Sequence, residues 1–304
     1  MSTGVYNKTV SNLIEDALRN ATISGIQISV DESDFAQGFN AFNDLLAAWQ
    51  AKQIHIWSET EAVIPLNVGQ QKYVFGTDHA FTDYQYTTAE AAILGATSLD
   101  VGSTSGALAG DFIGIELETG ARQWTTVDTV TDSDTFALTD ALEAAVSEGA
   151  SVYVYRTKCD IPVRVTSARY SDSHTADEVS TWQISRQEYY DQTSKTAQGA
   201  INQWYYSRQL TSPYLNVWPT AGSCANVLRF TFIKPQYVAE DQSENVQVPP
   251  EWYNALKWQL AADLGAIYNI DANKQVLLEQ KAQIYLSDAI GSDTDFSNIQ
   301  FVCR

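Results

Sequence analysis

The feature that most limits the possible folds is a change of hydrophobic period along the chain. Toward both ends, apolar residues recur every three or four positions, which indicates amphipathic helices. Residues 69–158 instead form short alternating runs divided by Gly, Ser, Thr and Asp, which is typical of strands and turns. Because helical patterning returns only late in the chain, we interpret 69–158 as a small β domain inserted into a host formed by residues 1–68 and 159–290.

Two helices are predicted in the N-terminal part of the host. Residues 8–20, KTVSNLIEDALRN, have one apolar face, and a second helix follows in DESDFAQGFNAFNDLLAAWQAKQI, where Asp31 or Ser33 can cap the first N–H groups. The apolar face of this second helix contains Phe35, Phe39, Phe42, Leu45, Leu46 and Trp49. The alternating segment QIHIWSETEAVIPL then predicts a strand that ends at Pro65.

Two more helices are predicted at 249–269 and 272–290. Pro249 and Pro250 fit the first turn of the earlier helix, where a missing N–H costs nothing. Its core-facing stripe is Trp252, Leu256, Leu260, Leu264 and Ile267, and a second stripe, Trp258, Ala261, Ala262 and Gly265, has small residues that allow another helix to approach closely. That second helix is either the one at 272–290, through Val276, Leu277 and Ile284, or a helix of a neighbouring copy.

Strands are predicted for both β regions. In the insertion they are DFIGIEL, RQWTTVDTV, TFALT and SVYVY; in the host they are DIPVRVTSARYSD, STWQISRQEYYDQ, AINQWYYSR, YLNVWPT and VLRFTFIKP. The predicted fold class is therefore α+β, with a helical bundle core, an antiparallel β layer on the helices and an inserted small all-β domain.

The charge of the chain is strongly acidic and unevenly distributed. The net charge is −19, and residues 76–150 contain thirteen acids against one base, Arg122, whereas residues 151–235 contain nine bases and six acids. Phosphate binding depends on clustered Lys and Arg, so this balance argues against a protein that grips nucleic acid or an anionic membrane. The N-terminal MSTGVYNKTV has no basic start and no apolar segment, so we expect no secretory signal and a cytoplasmic site of synthesis.

Recognisable catalytic and metal-binding patterns are lacking in the sequence. Cys159, Cys224 and Cys303 are odd in number and far apart, and are interpreted as buried or incidental thiols. The three histidines, His55, His79 and His174, form no metal-binding pair. Carboxylate pairs such as Glu59 with Glu61 or Asp132 with Asp134 are expected by chance among 37 acids. We therefore expect no enzymatic activity, no metal and no cofactor.

The C-terminal residues 291–304 differ from the rest of the host. Ser and Asp residues follow Gly291, yet Phe296, Ile299, Phe301 and Val302 are apolar and close to the terminus. The segment is either a frayed end or an extended tail that orders when it docks on a partner.

Several segments resemble the head-to-tail adaptor proteins of tailed bacteriophages, and most closely the packaged-DNA stabilisation proteins of short-tailed phages. They are SNLIEDALRNA, FNDLLAAWQAKQIHIW, EYYDQTSKTAQGAINQWYYSRQ, YLNVWPT, LRFTFIKP and VPPEWYNALKWQLAADLGAIYNI. The resemblance covers the first 65 residues and roughly 160–285, and AGDFIGIELETGARQWTTV looks like a β module inserted in such virion proteins. The shortest adaptors are mainly helical, so the insertion is where this chain departs from the family.

The resemblance implies a ring, usually of twelve copies, beneath the portal protein at the capsid vertex. Such a ring retains the packaged DNA and receives the tail nozzle or needle, and the protein is then found at the neck of the virion. Its helices would pack around the ring, through Trp252, Leu256, Trp258, Ala261, Ala262 and Gly265, and its tail would dock on the portal. An acidic channel would let DNA slide through without sequence-specific binding.

Two other functions stay open from the sequence. The chain could be a virion protein that binds or cleaves glycans, with the β insertion as the recognition module and Trp124 and Tyr153 as sugar platforms. It could also be a soluble domain without a role in assembly.

Overall fold

The chain separates into two compact units. The computed structural model describes residues 8–21, 31–52, 54, 59–175, 177–235 and 238–292. One unit, here called the helical unit, is formed by Met1–Trp57 with Gln236–Arg304; the other, the strand unit, is Ser58–Pro235.

The helical unit contains the four longer helices of the described chain. They are α1 (Val10–Asn20), α2 (Glu32–Ala51), α4 (Tyr253–Ile267), which follows a 3-10 turn at Pro250–Trp252, and α5 (Ala272–Ser292). Thr9 caps α1 by accepting from the N–H of Asn12, and Asp31 caps α2 by accepting from the N–H of Glu32. The sequence prediction of four helices in these places is confirmed.

The core of the helical unit is built from one face of each helix. Trp49 of α2 and Trp252 meet edge to face with ring centroids 5.7 Å apart, and both are buried. Gly38 lets α2 approach α1 closely, because a Cβ at this position would lie 2.5 Å from Cγ2 of Ile14. The segment before α4 belongs to the same core through Ala239, Val246 and Val248.

The strand unit contains three sheets in the described residues. The strands are β1 (Glu59–Pro65), β2 (Lys72–Val74), β3 (Tyr84–Ala89), β4 (Ser98–Asp100), β5 (Phe112–Glu116), β6 (Arg122–Val130), β7 (Thr135–Leu138), β8 (Ala150–Tyr155), β9 (Arg164–Asp172), β10 (Glu178–Ser180), β11 (Trp182–Gln183), β12 (Gln203–Ser207), β13 (Tyr214–Trp218) and β14 (Asn226–Ile233). A short helix, α3 (Arg186–Asp191), lies between β11 and β12.

Two four-stranded sheets form a sandwich. The first has the order β1-β14-β9-β10 and the second the order β11-β12-β13-β2. Their facing side chains share one buried cluster, to which Phe230 and Phe232 come from the first sheet and Trp204, Leu215 and Val217 from the second. Every second residue of β12 and β13 therefore faces this core, and the residues between them face outward.

The third sheet is a small closed barrel of six strands, residues 84–155. Its order is β3-β8-β5-β6-β7-β4, and the two end strands are joined by an Ala89–Val101 bridge and by the hydrogen bond from Gly102 N to Thr88 O, 3.1 Å. The interior is filled by apolar side chains, among them Ile113, Phe136 and Val152. The barrel lies within the range 69–158 given above for the insertion, and its predicted strands β5 to β8 are confirmed.

One side of the barrel packs on the sandwich. Tyr153 and Tyr155 of β8 share a buried cluster with Phe81, with Val63 of β1 and with Val227 of β14. A further contact comes from the Arg122 guanidinium, which donates to the carbonyl oxygen of Cys224 at 2.5 Å. The barrel is thus held against the sandwich by an aromatic joint.

The predicted helical bundle core is wrong. Three sheets of fourteen strands form the larger unit of the described chain, and helices and sheets bury separate cores, because the apolar faces of the strands close against other strands in the sandwich and the barrel. The segment STWQISRQEYYDQ was predicted as a strand, but part of it forms α3, where Ser185 and Glu188 make a capping box. The predicted domain limits, 1–68 with 159–290, 69–158 and 291–304, stay a prediction.

Candidate functional site

An exposed apolar stripe runs along α5. The opposite face of the helix contacts α4 through Leu278 and Ala282, which are buried. Val276, Leu277 and Ile284 lie outside that buried contact and are 50%, 58% and 58% exposed. Of the two alternatives given above, packing within the chain depends mainly on Leu278 and Ala282 rather than on these three residues, and packing on a neighbouring copy stays a prediction. Apolar side chains in this arrangement are suited to bury against a further partner.

A groove of about 670 Å³ lies between α4 and α5, next to the stripe. Small and branched apolar side chains line it, with amides and two acids around them: Ala262, Ala266, Val276, Ile284, Gln259, Gln275, Gln280, Gln283, Asp263 and Glu279. Burial raises the pKa of Asp263, which accepts a hydrogen bond from Gln259 at 3.2 Å. The alanines of the groove allow the backbone of another helix to approach closely. The amide side chains at its edges can form hydrogen bonds with that helix.

The residues predicted to pack around a ring are placed mainly in the core of their own unit. Trp252, Leu256, Ala261, Ala262 and Gly265 are buried. A Cβ on Gly265 would lie 3.3 Å from Cδ1 of Leu278, which shows how closely α5 approaches there.

Trp258, the sixth of these residues, is half-buried at the edge of the contact between α4 and α5. Its indole stacks on Tyr285 with centroids 6.1 Å apart, and the Lys281 ammonium lies 4.3 Å from the ring centroid. A role of these six residues in a ring stays a prediction. The predicted docking residues Phe296, Ile299, Phe301 and Val302 lie outside the described residues.

A second surface lies on the outer face of the sheet β11-β12-β13-β2. Trp182, Gln203 and Trp218 are paired across three strands and share this face, and Trp182 is 67% exposed. Helix α3 covers part of the same face, with Tyr189 stacked on Tyr205 at 6.3 Å.

Three cations surround a pair of tyrosines on this face. Tyr190 and Tyr214 lie close enough for each to shift the pKa of the other, and the Lys72 ammonium lies 4.1 Å from the Tyr214 ring centroid. Arg186 and Lys195 lie over the Tyr190 ring at 5.6 and 5.7 Å. We call these five residues the basic-aromatic face.

The residues proposed as sugar platforms in the insertion are not open to a ligand. Tyr153 is buried in the joint, and Trp124 is covered on one side by the parallel ring of His79. The carboxylate pairs are engaged in structural contacts. Glu61 forms an ion pair with Arg169. The backbone N–H of Asp134 donates to Oδ1 of Asp132 at 3.3 Å, and the nearby Asp132 carboxylate raises the pKa of Asp134.

The thiols and histidines have structural roles where they are described. Cys159 and Cys224 are buried, as predicted, and burial raises the pKa of Cys159 to about 12. Cys303 and His55 lie outside the described residues. Across the described ranges, no three His, Cys, Asp or Glu side chains come together as a metal site. The helices within those ranges are not long and apolar enough to cross a membrane.

No family model and no curated protein matches the chain. Among solved structures, the chain is similar over 25% of its length to the Gp54 tailspike of Acinetobacter baumannii bacteriophage AP22 in complex with A. baumannii capsular saccharide, with 14% identity and a TM-score of 0.22. It is similar over 29% of its length to the tailspike gp49 of Pseudomonas phage LKA1, with 17% identity and a TM-score of 0.22. In both cases it spans 15% of the tailspike.

A longer but weaker similarity is to VP17, a capsid protein of bacteriophage P23-77. It covers 62% of this chain and 77% of VP17, with 10% identity and a TM-score of 0.12. TM-scores this low carry no argument about the fold or function of the chain.

Proposed function

We propose that the protein is a non-enzymatic structural protein of a bacteriophage virion, a ring-forming adaptor between the portal and the tail. The observation that carries the proposal is the exposed stripe of Val276, Leu277 and Ile284 beside the groove between α4 and α5. Each of these side chains would contribute roughly 1 kcal/mol by burying its exposed half against a neighbouring copy. In a ring of identical copies, each copy has a neighbour against which it can bury this stripe.

The charge of the chain is compatible with passage of DNA through such a ring. At a net charge of −19, the protein lacks the excess of cations that would hold phosphates by counterion release. Packaged DNA would then slide past the protein, and retention would come from closure of the portal exit by the assembled neck. The portal and the tail nozzle or needle are the partners that the sequence resemblance suggests.

The experiment that tests this proposal compares two classes of α5 variant by mass photometry. V276S/I284S should lower ring formation while leaving the unfolding temperature unchanged, because both residues are exposed in the single copy. L278A should lower the stability of the helical unit, because Leu278 is buried against α4. If V276S/I284S assembles as the unmodified protein does, the stripe is not the ring contact.

Glycan binding is the second candidate function, and Trp182 is the observation that favours it. An exposed indole with the Gln203 amide beside it is a chemically suitable platform for a sugar ring. Titration with purified host capsule or cell-wall polysaccharide should then quench tryptophan fluorescence in the unmodified protein and not in W182A. Equal responses of the two proteins would exclude this platform.

A further inference from the structure

The basic-aromatic face is a local exception on an acidic protein. Lys72 and Arg186 are exposed, Lys195 is half-buried, and all three lie next to the Tyr190–Tyr214 pair. The two acids of α3 are occupied locally: Glu188 accepts from the backbone N–H of Ser185, and Asp191 accepts from Gln187. Cations next to aromatic rings form a surface that suits an anionic partner.

The barrel of the same strand unit carries the opposite charge. Between residues 84 and 155 there are eleven acids and one base, a net charge of −10. That base, Arg122, points into the joint, where it donates to Cys224 O. Asp128, Asp132 and Asp134 are exposed on the hairpin of β6 and β7, on strands that leave the joint.

We propose that, in the ring of the proposed function, the acidic barrel of one copy docks on the basic-aromatic face of the next copy. Both surfaces belong to one compact unit, because the aromatic joint packs the barrel on the sandwich. A ring with head-to-tail contacts needs two different, complementary patches on each copy. The barrel and the basic-aromatic face provide such a pair, and their opposite charge orients each copy relative to the next. This inference rests on the proposed function for the existence of the ring.

Charge reversal on each surface tests the proposal in the full-length protein. K72E/R186E makes the face acidic, so that it repels the unmodified barrel, and D128K/D132K/D134K makes part of the barrel basic, so that it repels the unmodified face. Each variant alone should need at least tenfold more protein than the unmodified chain to form rings in mass photometry. An equimolar mixture of the two variants should restore rings in which they alternate. The reversed face of one variant then meets the reversed barrel of the other, and the unmodified face of the second meets the unmodified barrel of the first.

The control variant is R19E/K52E, which makes the same charge change as K72E/R186E in the helical unit and should assemble like the unmodified chain. Unfolding curves of all variants verify that they fold. If the two reversed variants form rings alone, or if their mixture forms none while the control does, the proposal is overturned and the proposed function stands. If the unmodified chain forms no ring, with or without portal, both are overturned.

Discussion

The imidazole of His79 lies parallel to the indole of Trp124, with ring centroids 3.7 Å apart and an angle of 6° between the planes. Nδ1 of His79 is also 2.6 Å from the hydroxyl oxygen of Tyr155. This stack lies in the joint between barrel and sandwich. Burial, with the nearby charges of Lys158 and Arg122, lowers the pKa of His79 to about 4, so the imidazole is neutral near pH 7.

The strand unit should therefore lose stability in acid through His79. Below pH ~6.5 the unfolded chain binds a proton at this histidine that the folded joint does not accept. The contribution of the neutral His79 to the free energy of unfolding is fully present above that pH and is lost as the pH falls toward 4. After allowance for solvent screening, we expect roughly 1–2 kcal/mol over this window. Urea denaturation at a series of pH values should show a shallower dependence for H79F, and an unchanged slope would contradict this role.

Gly114 of β5 leaves the space that Trp124 occupies. A Cβ at this position would lie 2.5 Å from Cη2 and Cζ3 of the indole, both within a packed joint. We expect G114A to lower the free energy of unfolding of the strand unit by about 1–3 kcal/mol, as for other overpacked sites. G222A is the matched control, since a Cβ on Gly222 has no atom within 4 Å, and it should have almost no effect. Equal denaturation midpoints for the two variants would refute the steric account.

Gly265 of α4 should tolerate no large side chain. A Cβ there would already lie 2.6 Å from Oε1 of Gln275 and 3.3 Å from Cδ1 of Leu278, both in α5, so leucine would separate α4 from α5. G265L should destabilise the helical unit by about 1–3 kcal/mol. The adjacent Ala266 is exposed, and A266L should stay within about 0.5 kcal/mol of the unmodified protein. Thermal unfolding followed by circular dichroism at 222 nm makes the comparison, and a stable G265L would show that the two helices can separate without cost.

Deletion of residues 293–304 should affect partner binding and not folding. The deletion keeps every residue of α5, Ala272–Ser292. We expect unchanged unfolding curves and weaker binding to the portal ring in surface plasmon resonance, with the same loss when Phe296, Ile299, Phe301 and Val302 are replaced by serine. Portal binding equal to that of the full chain would show that the tail is not the docking segment.

Local patterns in the sequence were sufficient to place most elements. The apolar spacing and the cap at Asp31 gave α2 within a few residues, and alternation gave β5 to β8. Helix α3 was missed although its capping box, Ser185 and Glu188, is readable in the sequence. The surrounding aromatic residues favour a strand. The capping box is the stronger local signal, and it predicts a helix.

The sequence does not show which faces of the helices and sheets contact each other. Trp258, Ala261 and Val276 all fit an amphipathic helix, and only the structure shows that α5 contacts α4 through Leu278 and exposes Val276. Likewise, His79 and Trp124 are 45 residues apart and come together only because the barrel closes and packs on the sandwich. Periodicity indicates that a face is apolar, but it does not identify the partner that covers it.

The most direct test of the proposed function is mass photometry of the purified protein, alone and mixed with the portal ring of the same phage. If the protein is the adaptor, the portal peak gains a fixed whole number of copies of 33.6 kDa, and V276S/I284S does not produce this gain. An unchanged portal mass over a range of salt concentrations, with the protein remaining a single copy, would contradict the adaptor function.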